Sequence, residues 1–554
     1  MNCTSATLPF TKTGYFTDII TAYLGQAPST LRQAQGGLSS EQASSADPEQ
    51  ALRPFYKHSP GLDGIKDAIE ARKKTTTNRV LLVEELSKQY AALPASPKVQ
   101  EHLQLLLQPN TFTITTAHQP VIFTGPLYFI YKILHAVKLA ATLQQTLSSY
   151  RFVPVFYMGS EDADLEELGS IYLGNEKLTW ETKQTGAVGR MNTRGLEKII
   201  RRVEGELSVQ PHGAALVQLL KECYLNSPDL QTATLRFVHA LFADYGLLVL
   251  IPDNARFKQQ LLPVFEDDLF RQTPATMVNN TIEKLSAHFK VQANPRDINV
   301  FYLKDNLRNR IEKVEDAFIV HGSDIRFTEE ALRAELQQHP ERFSPNVILR
   351  GLLQETLLPN IVFIGGGGET AYWLELAGLF EHYKVPYPVL LLRNSFLFIE
   401  KKWQEKIAKL GFSPADLFKT EQELLTALVS RHKNGELKLE HELVEVQQLY
   451  RQLREKAGHI DKSLESHIEA LQTRAIRPLQ ELEKKMLRAE KRKYSDAQRQ
   501  IHTIKEALFP RGSLQERIDN FMPYYAKWGK EFIDMLYKHS PSLDPQFVLL
   551  EENS

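Results

Sequence analysis

The sequence predicts an α/β protein: a parallel-sheet core interrupted by a large insertion and followed by a long helical coiled coil. Three observations carry that expectation. Short β-branched and aromatic runs at 111–116, 152–158, 360–364 and 388–393 end in loops and alternate with helical patterns, the grammar of a parallel sheet. A stretch far longer than any loop separates the second run from the third, so an insertion sits there. From Glu440 onward apolar residues at Val446, Tyr450, Leu453, Ala457, Ile460, Leu464 and Leu471 step by threes and fours once His467 is counted, and Ala475, Leu479, Leu482, Met486 and Ala489 continue the rhythm; heptads of this length indicate paired long helices.

Composition narrows the class. The chain has 554 residues, 42% hydrophobic and 24% charged, with 28 Gly and 28 Pro, which suits several globular units and excludes wholesale disorder. Lys plus Arg number 66 against 67 Asp plus Glu, so no global field attracts nucleic acid or an anionic membrane. Cys3 and Cys223 are the only cysteines, as expected of a reducing cytosol. The polar start and the lack of any long apolar run predict a cytoplasmic, unanchored protein.

In chain order, a Ser-, Gln- and Ala-rich stretch at 25–50 precedes helical patterns at 64–71 and 78–93, so the first part reads as a helical approach to the core. The strand at 111–116 leads into His118-Gln119-Pro120, then Thr124-Gly125-Pro126, with Pro126 placed for the first turn of a helix at 127–147. The second strand runs into Glu161-Asp162-Ala163-Asp164. Helical patterns at 197–204, 214–224 and 232–245, with strands at 247–251 and 298–303, make the insertion mixed. The predicted units are 1–173 and 344–415 for the two parts of the core, 174–343 for the insertion, 416–511 for the coiled coil, which Gly458 and Pro478 interrupt, and 512–554 for an aromatic segment packing back on the body.

Three loops are candidates for chemistry. The first, with His118, Gln119, Thr124, Gly125 and Lys132, lies where open α/β sheets bind ligands and where a helix start attracts anions; a tight turn with capping side chains fits it equally. The acids Glu161, Asp162 and Asp164 could hold Mg²⁺, recognise an amine or hydroxyls, or act as a base, and a helix dipole also favours acids there. Gly365, Gly366, Gly367 and Gly368 let a ligand approach the backbone, though without the spacing of a dinucleotide fingerprint. Arg350 and Gln354 share a helix face beside Glu355, and Arg393 ends the next strand. The basic run from Lys484 to Lys493 is interleaved with glutamates and reads as a solvated helix face. No zinc-like Cys/His spacing or nucleophile elbow occurs, so no structural metal is expected.

Together, His118-Gln119, Thr124-Gly125-Pro126-Leu127-Tyr128, Val153-Pro154-Val155-Phe156, Glu161-Asp162-Ala163-Asp164, Pro340 to Val347, Gln354-Glu355 and Gly368-Glu369 with Tyr372-Trp373 resemble the bacillithiol biosynthesis cysteine-adding enzymes, the cysteine ligases. The match continues to Leu514-Gln515-Glu516-Arg517. The resemblance implies a Rossmann-like core akin to class I aminoacyl-tRNA synthetases with connecting-peptide insertions, a homodimer formed through the coiled coil, and addition of cysteine to the amino group of glucosaminyl-malate. Amide formation requires an activated cysteine carboxylate, for which ATP is the expected activator, with Mg²⁺ a candidate companion. His118, Glu161, Asp162 and Asp164 become the expected catalytic residues. Gln119, Thr124, Gly125, Tyr128, Lys132, Arg350, Gln354, Glu355, the four glycines, Glu369, Tyr372, Trp373 and Arg393 become the expected binding residues. Ser160 and Ala163 depart from the family's Gly and His, so no proton-transfer role transfers to position 163; a non-catalytic coiled-coil scaffold with a degenerate core is the competing expectation.

Overall fold

A computed structural model describes residues 1–25, 48–432, 439–491 and 494–553. They form two compact units, Met1–Leu397 with Leu514–Leu550, and Phe398–Ser513 with Glu551–Ser554. Most of the 25–50 stretch, and Arg492 and Lys493 of the basic run, lie outside the described residues.

The first unit is built on a five-stranded sheet in the order Val389–Leu392, Asn360–Gly365, Thr111–His118, Arg151–Met158, Leu248–Leu250, with every neighbouring pair parallel. Its strands are buried almost throughout, as expected of a parallel sheet covered on both faces. Phe112, Ile114, Phe152, Ile361 and Ile364 join Ile65 and Ile69 of the Leu62–Lys73 helix and Leu139 and Leu143 of the Tyr128–Thr146 helix in one buried cluster. From the central Thr111–His118 strand the chain first builds outward on one side, then returns to build on the other. The strand order therefore reverses between Thr111–His118 and Asn360–Gly365, and the carboxyl ends of those two strands open a crevice where α/β sheets take ligands.

Several expectations change. Residues 248–250, read as part of the insertion, form the edge strand of the core sheet through parallel pairing with Val155–Tyr157. The chain begins with a strand, Cys3–Pro9, rather than helices alone; its neighbour, Gln546–Glu552, is too distant in sequence for a local pattern to reveal. Pro126 lies outside the helix it was expected to open, which begins at Tyr128, and bridges to Asn520 instead. The glycine run is not wholly a loop: Gly365 ends the strand, Gly366 is the N-cap and Gly367 starts the Gly367–Glu375 helix.

Within the insertion, Arg326–Phe327, Ala317–Val320, Leu307–Val314, Val300–Lys304 and Phe343–Pro345 form an antiparallel sheet in that order. It carries Arg308 and Ser344 toward the crevice.

In the second unit, Glu440–Ile460 and Leu464–Lys491 form a helical hairpin closed by a short turn at 461–463. Ion pairs from Arg454 to Glu465 and Glu469 tie one helix to the next. Gly458 and Pro478 both lie inside helices, so neither is the break that composition suggested. His467 is exposed. Leu453, Leu464 and Leu482 are 41%, 39% and 46% exposed, so the apolar seam is only partly covered within one chain.

Candidate active site

The crevice holds a cavity of about 520 Å³. Its wall brings together, from the expected set, His118, Gln119, Tyr128, Lys132, Asp162, Arg350, Gly366, Gly367, Gly368, Glu369, Tyr372 and Arg393. Segments distant in sequence therefore converge at one rim.

His118 is the last residue of the central strand, and its ring packs against Tyr128 and Phe129 at centroid distances of 5.3 and 5.5 Å. Burial holds its pKa well below the usual histidine value, and the positive charges of Lys132, Arg350 and Arg393 push it the same way. The imidazole is therefore neutral at physiological pH, and its buried Nε2 has no hydrogen-bond partner.

Lys132 follows Tyr128 by one helical turn, so both face the crevice. Its ammonium donates to Ala117 O at 2.7 Å and pairs with Glu369. Glu369 also accepts from Gly366 N at 2.8 Å, closing the start of the Gly367–Glu375 helix. The glycine segment is thus fastened to the first strand's helix. None of its four glycines adopts a left-handed φ; crowding explains Gly365, where a Cβ would lie 3.0 Å from Glu369 Cβ and the Phe363 ring, whereas Gly368 meets open space.

Arg393 lies 5.0 Å over the Tyr128 ring and donates to Glu516 at 2.8 Å. Arg350 projects from the Val347–Leu357 helix, capped by Asn346. Burial opposes its charge, but Tyr372 and Asp162 hold its pKa above the ordinary value. Asp162 is the converse: burial opposes its ionisation, and Arg350 and Arg308 hold it below the usual carboxylate range. Gln119 Nε2 donates to its Oδ2 at 3.1 Å, so Asp162 is a fixed anion.

Sequence reasoning missed Arg308, Asn346 and Arg517 as members of the wall. The Arg308 guanidinium sits 4.4 Å over Phe301 and donates from Nε to Ser344 Oγ at 3.0 Å. Its strand reads Leu-Arg-Asn-Arg-Ile-Glu-Lys-Val, a solvated edge by pattern, so only the tertiary pairing places it. Asn346 and Arg517 do fall in the stretches that carry the family resemblance. With Lys132, Arg308, Arg350, Arg393 and Arg517 against Asp162 and Glu369, cations outnumber carboxylates in the wall. The cavity suits carboxylates or phosphates.

The remaining expected residues lie elsewhere. Glu161 is buried away from the cavity wall and pairs with Lys258, while Ser344 Oγ donates to it at 3.1 Å. Asp164 caps the short Leu165–Leu168 helix by accepting from Glu167 N at 3.1 Å. The three acids thus serve three environments, and among the described residues no group of three or more His, Cys, Asp or Glu is placed to hold a metal ion. Thr124 and Gly125 form a buried turn held by Asn520 Nδ2, which donates to Phe123 O and Gly125 O at 3.0 and 2.6 Å. Gln354 and Glu355 belong to a buried network with Arg72 and Asn360. Trp373 stacks on Phe363 at 4.4 Å. Ser160 is buried under Gly189, whose N–H donates to its carbonyl at 2.9 Å, and Ala163 is exposed.

Two expected results follow from these placements. Gly125 has φ +61°, and a Cβ there would lie 2.7 Å from Val121 Cγ1, so Gly125→Ala should lower stability by about 1–3 kcal/mol, read by denaturant unfolding. Acidification should also destabilise the fold. Burial depresses His118, and lowers His135 to about 4; below about pH 6.5 the unfolded chain takes up protons that these native imidazoles refuse. Stability is full above that pH and falls as pH drops toward 4; melting points at pH 7.5 and 5 check this, and His135→Gln should reduce the difference.

Comparison with known proteins agrees with this architecture. The family description "Bacillithiol biosynthesis BshC, N-terminal Rossmann-like domain" matches residues 41–394, and "Bacillithiol biosynthesis BshC, C-terminal coiled-coil domain" matches 396–552. Relatives named "Putative cysteine ligase BshC" include one from Flavobacterium johnsoniae, 37% identical over 91% of this chain and 96% of its own length. Another, from Cytophaga hutchinsonii, is 38% identical over 90% of this chain and 93% of its own length. A third, from Flavobacterium psychrophilum, is 34% identical over 98% and 99%. Among the described residues no helix is long and apolar enough to cross a membrane. With a Rossmann-like sheet, a cationic crevice at its strand ends and a helical coiled-coil unit, this chain belongs to the BshC family of bacillithiol biosynthesis, the cysteine ligases.

Proposed function

We propose that the protein joins the carboxyl group of L-cysteine to the amino group of glucosaminyl-malate, and that the crevice is where the bond forms. The observation that carries this reading is the cation excess at the strand-order reversal in a chain of this family. The malate portion of the acceptor is a dicarboxylate, for which buried arginines are the preferred partners. ATP, when bound, would supply activation of the cysteine carboxylate; Lys132, Arg393 and Arg517, beside the N-terminus of the Gly367–Glu375 helix, suit its phosphates.

Amide formation needs a neutral amine, so the acceptor's ammonium must lose a proton before or during attack. Among the groups facing the cavity are the Asp162 carboxylate, held ionised, and the His118 imidazole, held neutral with one ring nitrogen free of a proton. Asp162, anchored by Gln119 and flanked by arginines, is suited to orient the ammonium. His118, with an unpartnered Nε2, is suited to receive the proton once substrate anions offset the surrounding positive charge.

The partly uncovered apolar seam of the helical hairpin supports a homodimer formed through it, which light scattering would read as twice the monomer mass; a monomer would contradict it. The intact cationic cavity favours catalysis over a scaffold role. Incubating the purified protein with glucosaminyl-malate, cysteine and ATP should give the amide product by mass spectrometry. Failure with every activated cysteine donor would remove the assignment.

A further inference from the structure

Connected to the cavity wall through Arg308 is a chain of buried polar groups that the reaction does not itself require. Lys258 is 0% exposed, on a short helix of the insertion, Ala255–Gln259. Its ammonium pairs with Glu161, lies 3.5 Å from Asp253, and donates to Glu341 O at 2.9 Å. Asp253 is itself held by Arg190 through two hydrogen bonds of 2.6 Å. Glu161 accepts from Ser344 Oγ at 3.1 Å, and Ser344 Oγ accepts from Arg308 Nε at 3.0 Å. Arg308 then enters the cavity wall.

Such an arrangement is costly unless it serves something. Burying Lys258 and Glu161 carries a desolvation penalty for each ion before their attraction is counted, and apolar residues would fill the same space without it. The connection has a direction: each link fixes the next, and the last is a cation facing the ligand. Glu161 stands next to Asp162 in the chain, so the loop that presents the cavity's anion is fastened by the same pair that orients its cation. Val188 N also donates to Asp162 O at 2.8 Å, holding that loop from the Arg190 side.

We propose that Lys258, Glu161 and Ser344 form a buried relay that holds Arg308 in position to bind the anionic substrate, making all three positioning residues. The role of Glu161 is then to orient rather than to exchange protons with the amine. This inference rests on the reading of the crevice as the substrate site. A hydroxyl between a carboxylate and a guanidinium can satisfy both at once, donating to the first and accepting from the second. Ser344 is therefore the link that can be cut with least disturbance to packing.

The test is a double-mutant cycle on Ser344→Ala and Arg308→Lys, since lysine keeps the charge but lacks the Nε–H that Ser344 accepts. Dissociation constants for glucosaminyl-malate and for inorganic pyrophosphate are read by calorimetry, with melting points alongside. Each single variant should weaken binding of at least one probe about tenfold. The double variant should be no weaker than Arg308→Lys alone. Lys258→Met should weaken binding as well, and should lower the melting point more than Ser344→Ala does. Additive losses in the cycle, or affinities within about twofold of wild type for Ser344→Ala with both probes, would overturn the relay. Loss of glucosaminyl-malate binding in the wild-type protein, with the pyrophosphate cycle still non-additive, would overturn the proposed substrate and leave the relay standing.

Discussion

Replacing Arg350 by alanine should weaken binding of an anionic substrate by about 30- to several-thousand-fold. Arg350 is buried, and its charge is upheld by Tyr372 and Asp162 against the cost of burial. Truncating one partner of a buried, hydrogen-bonded charge pair costs about 2–5 kcal/mol, because the other charge is left uncompensated. Here that charge is the bound substrate's carboxylate; Asp162 in turn loses one of the two arginines that keep it ionised. Its pKa should rise toward the ordinary carboxylate range as the Arg350 charge is withdrawn. Lysine at the same position should recover only part of the affinity, since a point charge cannot reproduce the guanidinium fork. Calorimetric dissociation constants for wild type, Arg350→Ala and Arg350→Lys check the size of the loss and the partial recovery.

The second large effect is on stability, and it concerns Glu355, which was expected to bind substrate. Arg72 and Glu355 are 3% and 0% exposed in their side chains and pair at 2.7 Å. Arg72 also donates to Asn360 O and Glu355 O, each at 2.8 Å, so one guanidinium joins the Leu62–Lys73 helix, the Val347–Leu357 helix and the Asn360–Gly365 strand. Asn360 in turn donates to Glu355 Oε1 at 2.7 Å and accepts from Thr115 Oγ1 at 2.8 Å. Glu355→Ala should lower the unfolding free energy by about 3–5 kcal/mol, seen as a shift in the denaturant midpoint. The folded fraction should bind glucosaminyl-malate with wild-type affinity. Weaker binding without loss of stability would instead return Glu355 to the site.

The contrast between Arg350 and Glu355 shows how far the sequence could be read. Both lie on one helix, five residues apart, and both were expected to bind substrate, Arg350 from the helix face it shares with Gln354 and Glu355 from the stretch that carries the family resemblance. Which side chain reaches the crevice and which meets Arg72 depends on partners hundreds of residues away in the chain. The sheet strands were readable because each is a continuous run of β-branched, aromatic and apolar residues ending in a loop. The Leu248–Leu250 strand was readable as a strand but not as part of the core, since parallel pairing with Val155–Tyr157 leaves no local mark. His118, Asp162 and the glycine segment were readable as candidates because strand ends in such sheets face a common edge. Arg308 was not, because an alternating charged strand looks solvated until the antiparallel sheet turns one of its faces inward. Glu161 misled for a related reason: adjacency to Asp162 suggests a shared task, yet consecutive residues in a turn face opposite ways.

The most direct test of the central claim is a crystal structure of the protein with glucosaminyl-malate bound. The malate carboxylates should lie within hydrogen-bonding distance of Arg350 or Arg308, with the amino group turned toward Asp162 and His118. Density for the ligand on any other surface, with the crevice between Thr111–His118 and Asn360–Gly365 empty, would contradict the account.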